Sequence, residues 1–213
     1  NPRVGCVLVD PVTGDILGQG HTQQAGGPHA EVMALRDAAA RGHSVENATA
    51  YVTLEPCSHH GRTPPCTDAL IEAAVARVVV ACQDPNPLVA GEGIRRLRKA
   101  GVRVEQGVLE PQSRALNPGF FKRMQTGMPW VRCKLAMSVD GRTAMASGDS
   151  KWITGEAARQ DVQRLRARSC AVLSGIDTVL QDDPRLDVRM ACLEVFALGG
   201  ISSKDNAAES SYG

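Results

Sequence analysis

The chain has 213 residues, 43% of them hydrophobic, and its 24 basic and 23 acidic residues leave a formal net charge of +1. That length suffices for one large domain or two small ones with buried cores. The balanced charge argues against a nucleic-acid partner. The sequence has no apolar run long enough for a membrane segment, and its start does not have the pattern of a signal peptide.

The seven cysteines are an odd number spread along the chain. A secreted disulfide framework uses an even set in a short chain, so we expect a reducing, cytoplasmic location. Cys6, Cys82, Cys133 and Cys170 lie in apolar runs and are predicted to be small buried hydrophobic residues.

Strands and helices alternate in the first part of the chain. Two short apolar runs predict a hairpin over residues 4–20, and a helical pattern follows Pro28 as far as Gly42. This alternation predicts an α/β structure around one sheet. The further predicted elements are strands at 50–54, 77–82 and 102–104, and helices at 67–75 and 93–100.

The pattern changes beyond residue 110. Residues 111–123 are predicted to form a connecting helix with a break at Pro118, followed by a linker over 126–129. The predicted domains are a first domain at 1–127, a second segment at 128–190, and a disordered tail at 191–213.

The second segment has its own predicted elements. Strands are expected at 130–136 and 171–174, and a helix at 153–168 with Thr154 as its N-terminal cap.

His29, Cys57 and Cys66 have the residue types and the spacing of a metal site. One imidazole and two thiolates leave a tetrahedral zinc ion one position for water, as in catalytic zinc sites. Glu31, two residues after the imidazole, can carry protons, and His-x-Glu followed by Pro-Cys and Cys is typical of zinc-dependent nucleobase deaminases. We predict zinc on the three side chains and a catalytic Glu31. The alternative for Glu31 is a solvated charge on a helix face.

Four motifs carry a resemblance to a known family: Asn-Pro-x-Val-Gly at 1–5, Pro-His-Ala-Glu at 28–31, Thr-Leu-Glu-Pro-Cys to Pro-Pro-Cys at 53–66, and Asp-Pro-Asn-Pro at 84–87. In these the chain resembles the bifunctional riboflavin-biosynthesis deaminase/reductase family. Cytidine and transfer-RNA adenosine deaminases keep a shorter spacing between the cysteines. The match extends through segments at 117–120, 134–144, 150–154 and 182–184, which resemble the opening of the family's reductase domain.

The resemblance implies a cytidine-deaminase-like, three-layer α/β/α domain with a mixed sheet, followed by a partial dihydrofolate-reductase-like α/β domain. It implies Zn²⁺ and NADPH as cofactors. The implied deaminase-substrate positions are Asn1, His59, Arg62, Asp84 and Asn86. The implied NADPH positions are Ala136, Trp152, Thr178 and Asp182, and the implied reductase-substrate positions are Ser150, Arg166, Leu186 and Arg189.

The implied reaction is hydrolytic deamination of the small-molecule phosphoribosyl pyrimidine 2,5-diamino-6-(5-phosphoribosylamino)pyrimidin-4-one. Three departures accompany it: Thr22 stands where the family usually has a His, the family's N-terminal helix is missing before Asn1, and residues 191–213 do not match the family's reductase domain. We therefore expect the NADPH-dependent reductase activity to be impaired in this chain. The alternatives are a deaminase of another nucleobase or nucleoside and a non-catalytic zinc-binding copy; assembly into a homo-oligomer is left open.

Overall fold

The computed structural model describes residues 2–61, 63–87 and 89–190. The chain divides into two compact units, Asn1–Val131 and Arg132–Gly213. The predictions for Asn1, Arg62 and the tail at 191–213 lie outside the described residues. The domain boundary after residue 127 stays a prediction.

The first unit is built on a five-stranded sheet with the strand order β2-β1-β3-β4-β5. β1 runs antiparallel to both β2 and β3, while β3, β4 and β5 run parallel to one another. The sheet is therefore mixed, as expected. Its strands are β1 (Gly5–Val9), β2 (Ile16–His21), β3 (Thr49–Val52), β4 (Arg77–Val80) and β5 (Arg103–Gln106).

Helices connect and follow these strands. The predicted connecting helix is divided in two at Asn117, because Pro118 has no backbone N–H to continue the first helix. No helix among the described residues is long and apolar enough to cross a bilayer. The helices of this unit are α1 (Ala30–Ala40), α2 (Cys66–Glu72), α3 (Glu92–Lys99), α4 (Glu110–Leu116) and α5 (Pro118–Thr126).

The main core lies between one face of the sheet and helices α1 to α3. Alternate strand residues such as Leu8, Val52 and Val78 are buried there with Leu70 of α2 and Leu97 of α3. A period of two in the strands brings these side chains to the same face. A second cluster joins Leu54, Cys82 and Phe121 beyond the ends of β3 and β4.

Two glycines let α1 lie directly on β2. A Cβ atom at Gly18 would lie 2.4 Å from the carbonyl oxygen of Ala34. One at Gly20 would lie 2.4 Å from the Ala34 nitrogen and 2.5 Å from the Ala30 oxygen. The absence of side chains on these residues thus lets α1 lie close to β2.

The second unit differs from its predicted elements. Its described residues, 132–190, contain the helices α6 (Glu156–Ala167) and α7 (Ile176–Asp182) and no strand. The strands predicted at 130–136 and 171–174 are wrong, because a strand is stable only where another strand accepts its hydrogen bonds. α7 was not predicted.

Three local predictions for the second unit are also wrong. α6 has Gly155 rather than Thr154 at its N-terminal cap, without a side-chain hydrogen bond. Cys133 and Cys170 are exposed, because the apolar runs that carry them do not form buried strands. Cys6 and Cys82, in contrast, are buried as predicted.

Candidate metal centre

Three separate elements bring His29, Cys57 and Cys66 together. His29 is the N-terminal cap of α1, Cys57 lies in the loop after β3, and Cys66 is the first residue of α2. Their potential ligand atoms all lie within 4.8 Å of one another. The Nδ1 atom of His29 is 3.5 Å from the Cys57 sulfur and 3.3 Å from the Cys66 sulfur.

These distances fit a zinc ion. With Zn–N bonds of about 2.0–2.1 Å and Zn–S bonds of about 2.3 Å, a nitrogen and a sulfur on a tetrahedral zinc lie roughly 3.6 Å apart. The nitrogen that faces both sulfurs is Nδ1, which identifies the ring atom available for coordination. One imidazole and two thiolates are also the donor types that zinc prefers.

Hydrogen bonds hold the two cysteines in this arrangement. The backbone N–H of Cys66 donates to the Cys57 sulfur over 3.3 Å, and that of Thr67 donates to the Cys57 carbonyl over 3.1 Å. A hydrogen bond from the Cys66 thiol lowers the pKa of Cys57, and the same bond, together with burial, raises the pKa of Cys66.

Glu31 is buried beside this cluster. It lies in the first turn of α1 and is 3% exposed, so it is not the solvated helix charge considered as an alternative. Burial raises the pKa of its carboxyl group, and the negative charge of Cys57 acts in the same direction. A carboxyl group with a raised pKa is suited to accepting and releasing protons near neutral pH.

Three predicted substrate positions lie in the loops that follow β3 and β4. Asp84 follows β4, is half-buried, and has its pKa raised by burial and by the charges of Glu55 and Cys57, while His59 lowers it. His59 is exposed in the loop between the cysteines. The Asn86 N–H donates to Oδ1 of Asp84 over 2.8 Å. Cys57 and Asp84 thus follow adjacent parallel strands, whose carboxyl ends are a common place for ligand sites.

Thr22, at the position where the family has a His, contributes to the strand pairing instead. Its hydroxyl oxygen accepts a hydrogen bond from the Val4 N–H over 3.2 Å, and its own N–H donates to the Val4 carbonyl over 3.0 Å. These bonds hold the segment that leads into β1.

The reductase positions in the second unit are not buried. Arg166 donates to the carbonyls of Arg185 and Asp187 over 2.9 and 3.0 Å, and Asp182 lies 3.6 Å from the Lys151 ammonium. Ala136 and Arg166 are half-buried. The exposed members of the two predicted sets are Ser150, Trp152, Thr178, Asp182, Leu186 and Arg189.

Two residues near the metal centre were not predicted from the sequence. Glu55 belongs to the quoted 53–66 motif and is buried, but the residue types around it indicate no role for it. Arg96 of α3 donates to the Ser58 carbonyl over 3.2 Å and pairs with Asp68 of α2 at 2.6 Å. It holds the start of the loop between the cysteines, and nothing in the local sequence indicates this.

The mixed sheet and the His-Cys-Cys cluster define a zinc-binding deaminase domain. In agreement, residues 1–82 match the family described as the cytidine and deoxycytidylate deaminase zinc-binding region, and residues 129–194 match the RibD C-terminal domain.

Similar proteins agree with both matches. The chain is 59% identical to the riboflavin biosynthesis protein RibD of Escherichia coli, over 91% of this chain and 52% of that protein. A structure of Acinetobacter baumannii RibD superposes with a TM-score of 0.83 at 58% identity, covering 92% of this chain and 54% of that one. The Thermotoga maritima diaminohydroxyphosphoribosylaminopyrimidine deaminase/5-amino-6-(5-phosphoribosylamino)uracil reductase does so with a TM-score of 0.83 at 44% identity, covering 89% and 53%.

Over the residues it contains, the chain belongs to the RibD family of riboflavin biosynthesis proteins, with a deaminase domain of the cytidine deaminase type and a partial RibD C-terminal domain. It spans about half the length of the curated relatives it matches.

Proposed function

We propose that this chain is a zinc-dependent deaminase that hydrolytically removes an amine from 2,5-diamino-6-(5-phosphoribosylamino)pyrimidin-4-one in riboflavin biosynthesis. The observation that carries the proposal is the convergence of His29 Nδ1 and the sulfurs of Cys57 and Cys66 beside the buried carboxyl of Glu31. The similarity to the Thermotoga maritima diaminohydroxyphosphoribosylaminopyrimidine deaminase supports the choice of substrate.

Each residue of the site has a separate role in the proposed deamination. His29, Cys57 and Cys66 would hold the zinc ion, which when bound lowers the pKa of a water molecule towards ~7 and so supplies the nucleophile. Glu31, whose pKa is raised by burial, takes a proton and delivers it to the departing amine. Asp84, Asn86 and His59 bind polar groups of the substrate.

The loop between the cysteines favours a substrate other than a simple cytidine. Residues 58–65 form a longer loop than a two-residue spacing would allow, and Arg96 holds its first carbonyl, that of Ser58. His59 and, in the sequence, Arg62 can bind an anionic group such as a phosphate on the ribose. We also propose a cytoplasmic location, because a reducing compartment keeps the two cysteine ligands of the zinc site free of disulfides.

The test is the Glu31→Gln variant of the zinc-loaded chain. Gln has the size of Glu but cannot transfer the proton, so we expect ammonia release from the pyrimidine to fall by about 10²–10⁴-fold, the range for general acid–base catalysis. Zinc content and the melting temperature should stay those of the unchanged protein. Glu46→Gln, an exposed Glu to Gln change after α1, is the control and should keep full activity.

Equal ammonia release by Glu31→Gln and the unchanged chain would overturn the role of Glu31. A panel with cytidine and guanine tests the alternative substrates: faster release from either than from the phosphoribosyl pyrimidine would replace the proposed one. Bound zinc without ammonia release from any of them would indicate a non-catalytic copy.

A further inference from the structure

Glu55 is a buried carboxylate outside the set of metal ligands and is 6% exposed. Its Oε1 accepts hydrogen bonds from the N–H groups of Gly93 and Ile94, over 2.8 and 3.2 Å. Its Oε2 accepts from Asp84 and Gly91, over 3.1 and 2.9 Å. With four backbone donors the acceptor capacity of the carboxylate is fully used.

The four donors belong to two different segments. Asp84 lies in the loop that follows β4, whereas Gly91, Gly93 and Ile94 form the start of α3. The N-terminal cap of α3 has no side-chain hydrogen bond of its own. Glu55 therefore takes the place of a capping residue from a distant part of the chain, and it also joins the loop after β3 to the loop after β4.

Two glycines at the start of α3 allow its backbone to lie close to Glu55 and Pro56. Gly91 has a φ of 80°, a left-handed conformation that a glycine adopts without strain. A Cβ atom at Gly93 would lie only 2.0 Å from the Pro56 carbonyl oxygen. The start of α3 thus packs directly on the peptide that precedes Cys57.

Both segments that Glu55 joins lead to the proposed active site. Two residues after Glu55 the chain reaches the ligand Cys57. Asp84, whose N–H Glu55 holds, lies close enough to Cys57 and His59 for their charges to affect its carboxyl group. A shift of the loop after β4 would therefore move Asp84 relative to the metal ligands.

We infer that Glu55 is a positioning residue, which holds the Asp84 loop against the Cys57 loop so that the substrate-binding groups and the metal ligands form one site. The inference rests on the proposed deaminase function. Glu55 acts through the backbone of residues 84–94 and does not contact the substrate.

The experiment compares zinc-loaded Glu55→Gln with the unchanged chain. An amide offers one oxygen acceptor, so in either orientation two backbone N–H groups face its NH₂ group and lose their partner. We expect the KM for the pyrimidine to rise about tenfold or more, with a smaller change in kcat and an unchanged zinc content. Amide hydrogen exchange should become faster within residues 84–94 and stay the same in the sheet.

Glu105→Gln is the matched control. It makes the same chemical change at an exposed carboxylate on β5, which pairs with Arg77 at 2.6 Å. Its KM and its exchange at residues 84–94 should equal those of the unchanged chain. Glu55→Asp keeps the charge and both acceptor atoms on a shorter side chain. Glu55→Asp should give a KM between those of Glu55→Gln and the unchanged chain. If Glu55→Gln does not fold, the KM and the exchange of Glu55→Asp test the positioning role instead.

Three results would overturn the inference: a KM within twofold of the unchanged chain, unaltered exchange at residues 84–94, or loss of zinc, which would mean that Glu55 supports the ligands rather than the substrate loop. If the unchanged chain releases no ammonia, the proposed function fails. The exchange and zinc measurements on Glu55→Gln then decide the positioning role by themselves.

Discussion

Gly20 lies in β2 beneath the first turn of α1, where the backbone of the helix leaves no room for a side chain. The contact matters because the same turn of α1 carries His29 and Glu31. A protein core is close-packed and responds to the addition of even one methyl group. The geometry of the metal centre therefore depends on a residue that has no functional group.

We expect Gly20→Ala to destabilise the protein by about 1–3 kcal/mol, the usual cost of overpacking. Ammonia release should also fall, because the displaced helix carries a ligand and the proton carrier. Denaturant unfolding and the deamination assay measure the two effects. Gly5→Ala is the control, since a Cβ there meets only the Thr53 Cγ2 at 3.9 Å. Similar losses in both variants would contradict the packing argument.

Asn117 joins two elements that are far apart in the sequence. It lies between α4 and α5, is 8% exposed, and pairs with the backbone of Arg3. Its Nδ2 donates to the Arg3 carbonyl over 2.7 Å, and its Oδ1 accepts from the Arg3 N–H over 2.7 Å. This pairing holds the segment that enters β1, next to the predicted substrate residue Asn1.

Asn117→Ala should leave both backbone groups of Arg3 without this partner and cost about 1–3 kcal/mol of unfolding free energy. Amide exchange at residues 3–5 should become faster, since these residues are then held only by their remaining partners. Gln125→Ala, at an exposed amide on α5, is the control and should change neither quantity. Unaltered exchange at Arg3 in Asn117→Ala would disprove the role of the pairing.

The two units of the chain differ in their secondary structure. The first has a sheet with a core on it, whereas the described residues of the second form two helices without a strand. Trp152 is 73% exposed there, with the Arg159 guanidinium 4.6 Å from its ring centre. A cofactor site normally buries most of its ligand in a concave surface. Of the predicted NADPH positions, Trp152, Thr178 and Asp182 are exposed and Ala136 is half-buried.

We therefore expect this chain to oxidise NADPH at least about a hundredfold more slowly than a full-length relative, which corresponds to roughly 2.7 kcal/mol of lost stabilisation. The measurement is the decrease in NADPH absorbance after addition of the deaminated pyrimidine. The Thermotoga maritima deaminase/5-amino-6-(5-phosphoribosylamino)uracil reductase, 44% identical over the shared residues, is the reference. A rate near that of the reference would refute the expectation.

The sequence by itself determined the features that depend on residue type and spacing. The alternation of strands and helices predicted the α/β sheet, and Pro118 predicted the break between α4 and α5, because a proline has no N–H with which to continue the preceding helix. His29, Cys57 and Cys66 were chosen as metal ligands because few other residue types bind zinc, and the structure brings their ligand atoms together. The substrate and reductase roles of the other residues stay predictions.

The tertiary structure alone decided which groups far apart in the sequence meet. The four N–H groups on Glu55, the pairing of Asn117 with Arg3 and the closeness of Gly20 to α1 all join segments that are distant in the chain. The strands predicted at 130–136 and 171–174 failed for the same reason. An apolar run indicates that burial of its side chains is favourable, but hydrogen-bonding partners elsewhere in the chain decide whether it forms a strand.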